Sequence, residues 1–276
     1  MASVDLHIHS SCSDGLVSPA GIARQAIQAG LSCISLTDHN TVVGLRELRS
    51  CLEGSSVELI DGVELCANSE DATEIHILGY GVNPQDAALL ETLLRVASLK
   101  RVQMARMVEG LQQQGVDVKV EDIPGGLESE YVGRPMLAHV LMQKGVVRTT
   151  REAFDRYLGS GGSVYVPLGA LSPEECMQVI HNAGGLAVFG HPTIELLDAY
   201  VVKLAHVGLD GLEVYRPSTG GNEELYAEMV AQDFGLFVTG GSDWHGRAAE
   251  GPLGGFSVPG EKLSGFSERI HARGSK

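Results

Sequence analysis

The sequence predicts an α/β protein: a β/α barrel interrupted by a helical insertion. Three observations carry this. Short apolar runs alternate with amphipathic stretches at both ends of the chain, the rhythm of a parallel sheet or barrel. Between about residues 84 and 165 that rhythm gives way to helical patterns alone. At 276 residues, the chain has room for one large domain carrying such an insertion. The barrel is expected over residues 1–83 and 166–276, and the insertion, as a cap over the substrate, over 84–165.

In chain order, VDLHIH (4–9) reads as the first strand. Ser18 is an N-cap and Pro19 suits a first helical position, so a helix runs to about Ala29, where Gly30 ends it. SCISLTDH (32–39) is the second strand, VVGLRELRSCLEG the next helix and VELIDGVEL (57–65) the third strand. EIHILGYGV (74–82) is a fourth, reached through the polar hairpin or loop NSEDAT. After Asn83-Pro84, Leu93, Leu94, Ala97, Val102, Met104 and Met107 mark a helix to about Gln114, and a second helical stretch covers roughly 134–158. GSGGS (159–163) is a flexible joint. Ser172-Pro173-Glu174-Glu175 repeats the earlier capping device, and strands resume with GLAVFGHP (185–192), DGLEVYRP (210–217) and GLFVTGGSDWH (235–245). The Gly-rich tail after Gly246 is expected to lie across the barrel.

Composition narrows the function classes. The apolar fraction of 43% and charged fraction of 20% are those of an ordinary globular protein, and no apolar run is long enough to span a bilayer. The start lacks the order of a secretory signal, and Cys12, Cys33, Cys51, Cys66 and Cys176 make no disulfide framework, so reduced, buried thiols and a cytoplasmic location are expected. A formal charge of −15 argues against a broad basic surface for nucleic acid, though bound metal ions can reverse the sign of a local pocket.

The polar residues fall in a pattern. His7 and His9 sit two apart in the first strand and so share a face; Asp14 follows in the next loop. Later apolar runs carry Asp38-His39, Glu64, His76, His191, and finally Asp243 with His245. In parallel barrels ligands bind where the strands end, so these side chains are placed to converge. A mixed set of imidazoles and carboxylates without thiolate suits Zn, Mn or Fe, and so many donors imply two or three ions with a shared carboxylate. His181, His206 and His271 lie in helical stretches or the tail and read as structural. GSGGS lacks the context of a phosphate loop, and Ser163 and Ser242 lack a nucleophile elbow.

DLHIHSSCSDG, SLTDHN, GVEL, IHILGYG, FGHP and GGSDWH, in this order over almost the whole chain, resemble the PHP (polymerase and histidinol phosphatase) superfamily. The SDG loop and the GRP of the insertion resemble its small phosphoesterases acting on nucleoside 3',5'-bisphosphates and on 5' ends of short RNA. The resemblance implies a distorted (β/α)7-type barrel with a trinuclear metal site. His7, His9, Glu64 and Asp243 would hold one ion. Glu64 would bridge to a second held by His76 and His191, and Asp14, His39 and His245 would hold a third. Glu64, His191 and Asp243 are then the catalytic members, and Asp38 orients a histidine ring or caps the following helix.

The same resemblance makes Arg134 the residue reaching a substrate phosphate, a task its planar fork suits. Met136 and His139 stand where relatives carry other residues, so His139 is the candidate contact there. Arg216 is the candidate to replace a basic residue missing near GSGGS. The implied activity is hydrolysis of a phosphomonoester by a water acidified between divalent ions, Mn first, with Fe or Zn as alternatives. Its substrate would be the 3'-phosphate of nucleoside 3',5'-bisphosphates, with short 5'-phosphorylated RNA also in scope. Small phosphorylated molecules, not membranes or long nucleic acid, are the expected partners. Histidinol-phosphate phosphatase is the rival activity, and a metal-binding or regulatory module without catalysis the rival from another class.

Overall fold

A computed structural model describes residues 2–71, 73–129 and 131–274. Its strands are β1 (Ser3–Ile8), β2 (Cys33–Leu36), β3 (Glu58–Asn68), β4 (Glu74–Tyr80), β5 (Leu186–Phe189), β6 (Gly211–Tyr215), β7 (Phe237–Gly240) and the two-residue β8 (Val258–Pro259). They form one sheet in the order β7-β6-β5-β4-β3-β2-β1-β8. The ring of seven is drawn shut where Ile8, at the end of β1, bridges Trp244, just beyond β7. There the His9 amide donates to the Trp244 carbonyl at 2.9 Å.

Period-two alternation explains what fills the ring. In β1, Val4, Leu6 and Ile8 take one face and Asp5 and His7 the other, and all five are buried. The apolar face packs on the outer helices α1 (Pro19–Ala29) and α2 (Val43–Leu52), which bury Ile22, Ala26, Leu45 and Leu48. The opposite faces supply the fully or nearly fully buried polar residues Asp5, His7, Ser35, Glu64, Glu213 and Thr239. Burial of so many polar groups is costly unless they are partnered, which marks this as the part of the core shaped by function.

β4 departs from the expected parallel rhythm. It runs antiparallel to both β3 and β5, with Glu64 opposite Leu78 and Cys66 opposite His76. His76 therefore reaches the same end of the ring as the other candidates from near the start of its strand, not from its finish. Ala72, between β3 and β4 in the sequence, lies outside the described residues.

The helical section has a core of its own. α3 (Ala87–Gln113), capped by Asp86, gives Leu89, Leu93 and Val96 to the barrel core, and Met104, Met107, Val108 and Leu111 to a second apolar cluster that extends to Val164. The helical stretch expected over 134–158 is broken: α4 (Arg134–Gln143) stops before Gly145, whose φ is +69°, and α5 (Thr150–Ala153) restarts from a Thr149 cap and runs into a π turn over Phe154–Leu158. Back in the barrel, α6 (Pro173–Asn182) begins with the Ser172/Glu175 capping box, and α7 (Ile194–His206) and α8 (Gly221–Asp233) follow β5 and β6. The tail pairs β8 with β1 and lays α9 (Ser264–Gly274) against the barrel, with Phe266 edge-on to Tyr80. None of the five cysteines is in a disulfide; Cys176 is buried and Cys51 exposed. Among the described residues no helix is long and apolar enough to cross a membrane.

Candidate metal centre

All nine expected ligands meet at one end of the ring, in four overlapping groups whose donor atoms lie within 4.8 Å of one another. Glu64, fully buried on β3, is their hub. Its Oε2 lies 3.5 Å from His7 Nε2, 3.3 Å from His9 Nε2 and 2.9 Å from His39 Nδ1; its Oε1 lies 2.7 Å from His76 Nδ1 and 2.9 Å from His191 Nε2. Asp243 Oδ1 completes the first set, 3.4 Å from His7 Nε2 and 3.1 Å from His9 Nε2. Donors bound about 2.0–2.2 Å from a common ion stand roughly 3.3 Å apart, the spacing found here. A third set gathers around Asp14 Oδ1, 3.3 Å from His245 Nε2 and 3.8 Å from His39 Nε2. His9 belongs to both the first and the third.

Local backbone geometry aims these groups. His191 (φ +27°) and Asp243 (φ +53°), like Asn40 (φ +53°), take positive φ values uncommon outside glycine, and such strain tends to collect at functional sites. Gly241 lets the chain beside Asp243 pass β1 closely: a Cβ there would lie 2.4 Å from the His7 amide nitrogen. Gly15 does the same for the Asp14 loop against the His9 carbonyl, at 2.3 Å.

The electrostatics and the loose ends both ask for cations. Burial alone would neutralise Glu64, yet the charges of His39, His76 and His7 hold it well below the usual carboxylate range. Burial likewise disfavours charge on His7, but Glu213, Asp243 and Glu64 outweigh it and push the ring up. His9 goes the other way, lowered to about 4 by burial and by the neighbouring His39 and His245 rings. Three buried atoms, His9 Nδ1, Asp14 Oδ1 and Glu64 Oε2, make no hydrogen bond, although each faces the cluster. Divalent ions would satisfy all three, so the residues fit the metals the donor chemistry calls for.

Two acids that the sequence reading missed hold the histidines in place. Glu213 on β6 is buried; its Oε1 accepts from His7 Nδ1 at 2.8 Å and its Oε2 from the His191 amide at 2.7 Å. That hydrogen bond turns the His7 Nε2 toward the centre. Glu74 accepts from His76 Nε2 at 3.0 Å and leaves Nδ1 facing Glu64. A charged residue within the otherwise apolar GLEVY was the available signal for Glu213. Nothing local distinguished Glu74.

The remaining expectations fare differently. Asp38 contacts neither a histidine ring through a hydrogen bond nor the next helix as a cap. Its oxygens accept from the Ser10 amide (2.7 Å), Ser10 Oγ (2.6 Å) and Ser13 Oγ (2.5 Å), tying down the loop that leads to Asp14. Arg134 lines a cavity of about 190 Å³ that His39, His76, Lys100, Gln103 and Tyr131 also line. His139 is elsewhere, exposed on α4 and hydrogen-bonded to Gln143, because the helix turns it away from that cavity. Arg216 belongs to a separate cavity of about 330 Å³ between the starts of α7 and α8, which Glu213 also lines, and its Nη2 donates to the Pro192 carbonyl. His181, His206 and His271 bond to Asp210, to the Val202 carbonyl, and to Ser267 with Glu58.

The chain is similar to several known proteins. A sequence model of the PHP domain matches residues 5–119. The chain is 29% identical to a 5'-3' exoribonuclease of Haemophilus influenzae, over 87% of this chain and 89% of that one. It is also 29% identical to a 3',5'-nucleoside bisphosphate phosphatase of Chromobacterium violaceum, over 89% and 88%. It is 30% identical to a phosphoribosyl 1,2-cyclic phosphate 1,2-diphosphodiesterase of Eggerthella lenta, over 92% and 98%. Among solved structures, one described as a metal-dependent phosphoesterase from Bifidobacterium adolescentis superposes with a TM-score of 0.83 at 28% identity, covering 98% of this chain and 96% of its own.

Proposed function

The chain belongs to the PHP domain family and is a hydrolase of phosphoester bonds, and from that premise we propose that it removes the 3'-phosphate of nucleoside 3',5'-bisphosphates with two or three divalent ions, Mn foremost. One observation carries the reading: the nine-residue centre shares a wall, through His39 and His76, with a cavity that holds Arg134 and Lys100. A monoester needs only the centre. The cavity beside it carries Arg134 and Lys100 together with the acid Glu74, and in a chain of net charge −15 its two cationic side chains would give a second phosphate its place.

His7, His9, Glu64 and Asp243 would hold one ion, Glu64, His76 and His191 a second, and Asp14, His39 and His245 a third. Bound ions supply an acidified water near neutral pH and offset charge building on the phosphoryl oxygens. The protein's own part is placement. Glu64 divides its two oxygens between two sets of histidines, Glu213 fixes the ring of His7, and Glu74 fixes that of His76. Arg134 and Lys100 would seat the 5'-phosphate while the 3'-phosphate meets the centre. The likeness to a phosphatase and an exoribonuclease weighs against the non-catalytic alternative.

The test is one panel with Mn: adenosine 3',5'-bisphosphate, 5'-phosphorylated oligoribonucleotides, a ribosyl cyclic phosphate and histidinol phosphate. The highest kcat/KM is expected for the bisphosphate. A higher value for any other member would replace it.

A further inference from the structure

Glu74 opens β4, two residues before His76, so strand alternation puts both side chains on one face. Its carboxylate has two partners. Oε1 accepts from His76 Nε2 at 3.0 Å, and both oxygens lie 2.5 Å from Nη2 of Arg134, which comes from the start of α4 in the helical section. On the far side of the ring, His76 Nδ1 faces Glu64 and His191 at 2.7 and 3.0 Å. One unbroken path of hydrogen bonds and close contacts thus joins the arginine of the cavity to the metal centre.

Arg134 is itself held on several sides. Nη1 donates to the Leu158 carbonyl at 3.3 Å, and the rings of Phe154 and Tyr165 lie 5.5 and 5.6 Å from the guanidinium carbon. With Nη2 engaged by Glu74, the fork has little freedom to swing toward a ligand. An anionic group must come to it at a fixed place.

We propose that Glu74 is a positioning residue that sets the arginine of the cavity and the His76 ring of the metal centre in one frame, so that the enzyme selects substrates by the distance between their two anionic groups. This rests on Arg134 being the phosphate contact named above. A carboxylate serving only His76 would need no arginine, and one serving only Arg134 would not need to meet a ring that faces Glu64. Arg134 therefore supports the metal centre without touching a ligand of it. A substrate lacking the second anionic group leaves that arm idle.

The experiment uses the full chain and its Glu74→Gln, Arg134→Ala and doubly substituted forms. Mn affinity is measured by titration and metal content by mass spectrometry; kcat and KM are measured for adenosine 3',5'-bisphosphate and adenosine 3'-monophosphate. Glu74→Gln is expected to weaken Mn binding roughly 10- to 100-fold, the usual effect of losing a carboxylate behind a ligating histidine. Arg134→Ala should weaken it several-fold, and the double form no more than Glu74→Gln alone, because both changes cut the same path. Wild-type Mn affinity in Arg134→Ala, or additive losses in the double form, overturns the proposal. If Glu74→Gln does not fold, the Arg134→Ala titration decides. The substrate arm is separate: preference for the bisphosphate should vanish in both single variants. A wild-type enzyme without that preference removes the substrate reading while the Mn results still judge the coupling.

Discussion

The two walls of the cleft are built in different ways. The metal wall draws its nine donors from six strands and the loops beside them, on the ring whose apolar faces form the larger core. The opposing wall is carried mainly by α3 and the segment from Tyr131 to Arg134, on a section with its own apolar cluster. Changing one wall should leave the other folded. The chemistry is thus tied to the ring closing and substrate choice to a smaller core, and the two meet at the Glu74–Arg134 pair.

Substitutions can break or sharpen this contrast. The largest effect belongs to Glu64→Ala, which removes the donor shared between sets: turnover should fall by at least about 10³-fold, with metal content lost in step. Intact activity in metal-free protein would falsify the metal reading. Glu213→Gln comes next. It leaves every donor in place but frees the His7 ring, so activity and metal affinity should drop about 10- to 100-fold while KM for the bisphosphate changes little.

On the other wall, Leu137→Ala in the second cluster should cost about 2–5 kcal/mol locally. Hydrogen exchange should quicken in α3's second half and α4, and KM should rise, while Mn affinity falls no more than in Arg134→Ala. A loss of metal as large as that in Glu64→Ala would show that the two cores are not separable. Metal binding should also release protons, because His7, His39 and His76 hold theirs above the usual range against neighbouring carboxylates. The sign follows: apparent affinity weakens as pH falls, and calorimetry in buffers of different ionisation enthalpy should find net proton release near pH 7. The smallest effect is expected from His139→Ala, within about 0.5 kcal/mol in stability and without a change in KM, as befits an exposed residue.

Much of the metal wall was legible because its donors interrupt apolar runs: His7 and His9 in VDLHIH, His191 in FGHP and Asp243 in GGSDWH stand out against the surrounding periodicity. What escaped was relational. Glu213 is an ordinary residue until β6 is known to lie beside β5, which puts its carboxylate under the His191 amide. Glu74 gains meaning only when α4 brings Arg134, 60 positions further along the chain, to it. The direction of β4 could not be read from its own residues either, since alternation is the same whichever way a strand runs. His139 and Arg216 failed to join Arg134 because placement on a helix face or in a loop depends on packing that spacing alone does not specify.

The left-handed backbone at His191 and Asp243 has a further consequence for how this protein tolerates change. Glycine adopts such angles without penalty, whereas other residues give up about 1–3 kcal/mol. Replacing either residue by glycine should therefore relieve backbone strain and make the metal-free fold more robust to heat, while removing a metal donor and abolishing its use as a catalyst. Durability and activity are opposed at these two positions, and a search for hardier variants that ignored turnover would be drawn first to the residues the enzyme can least spare.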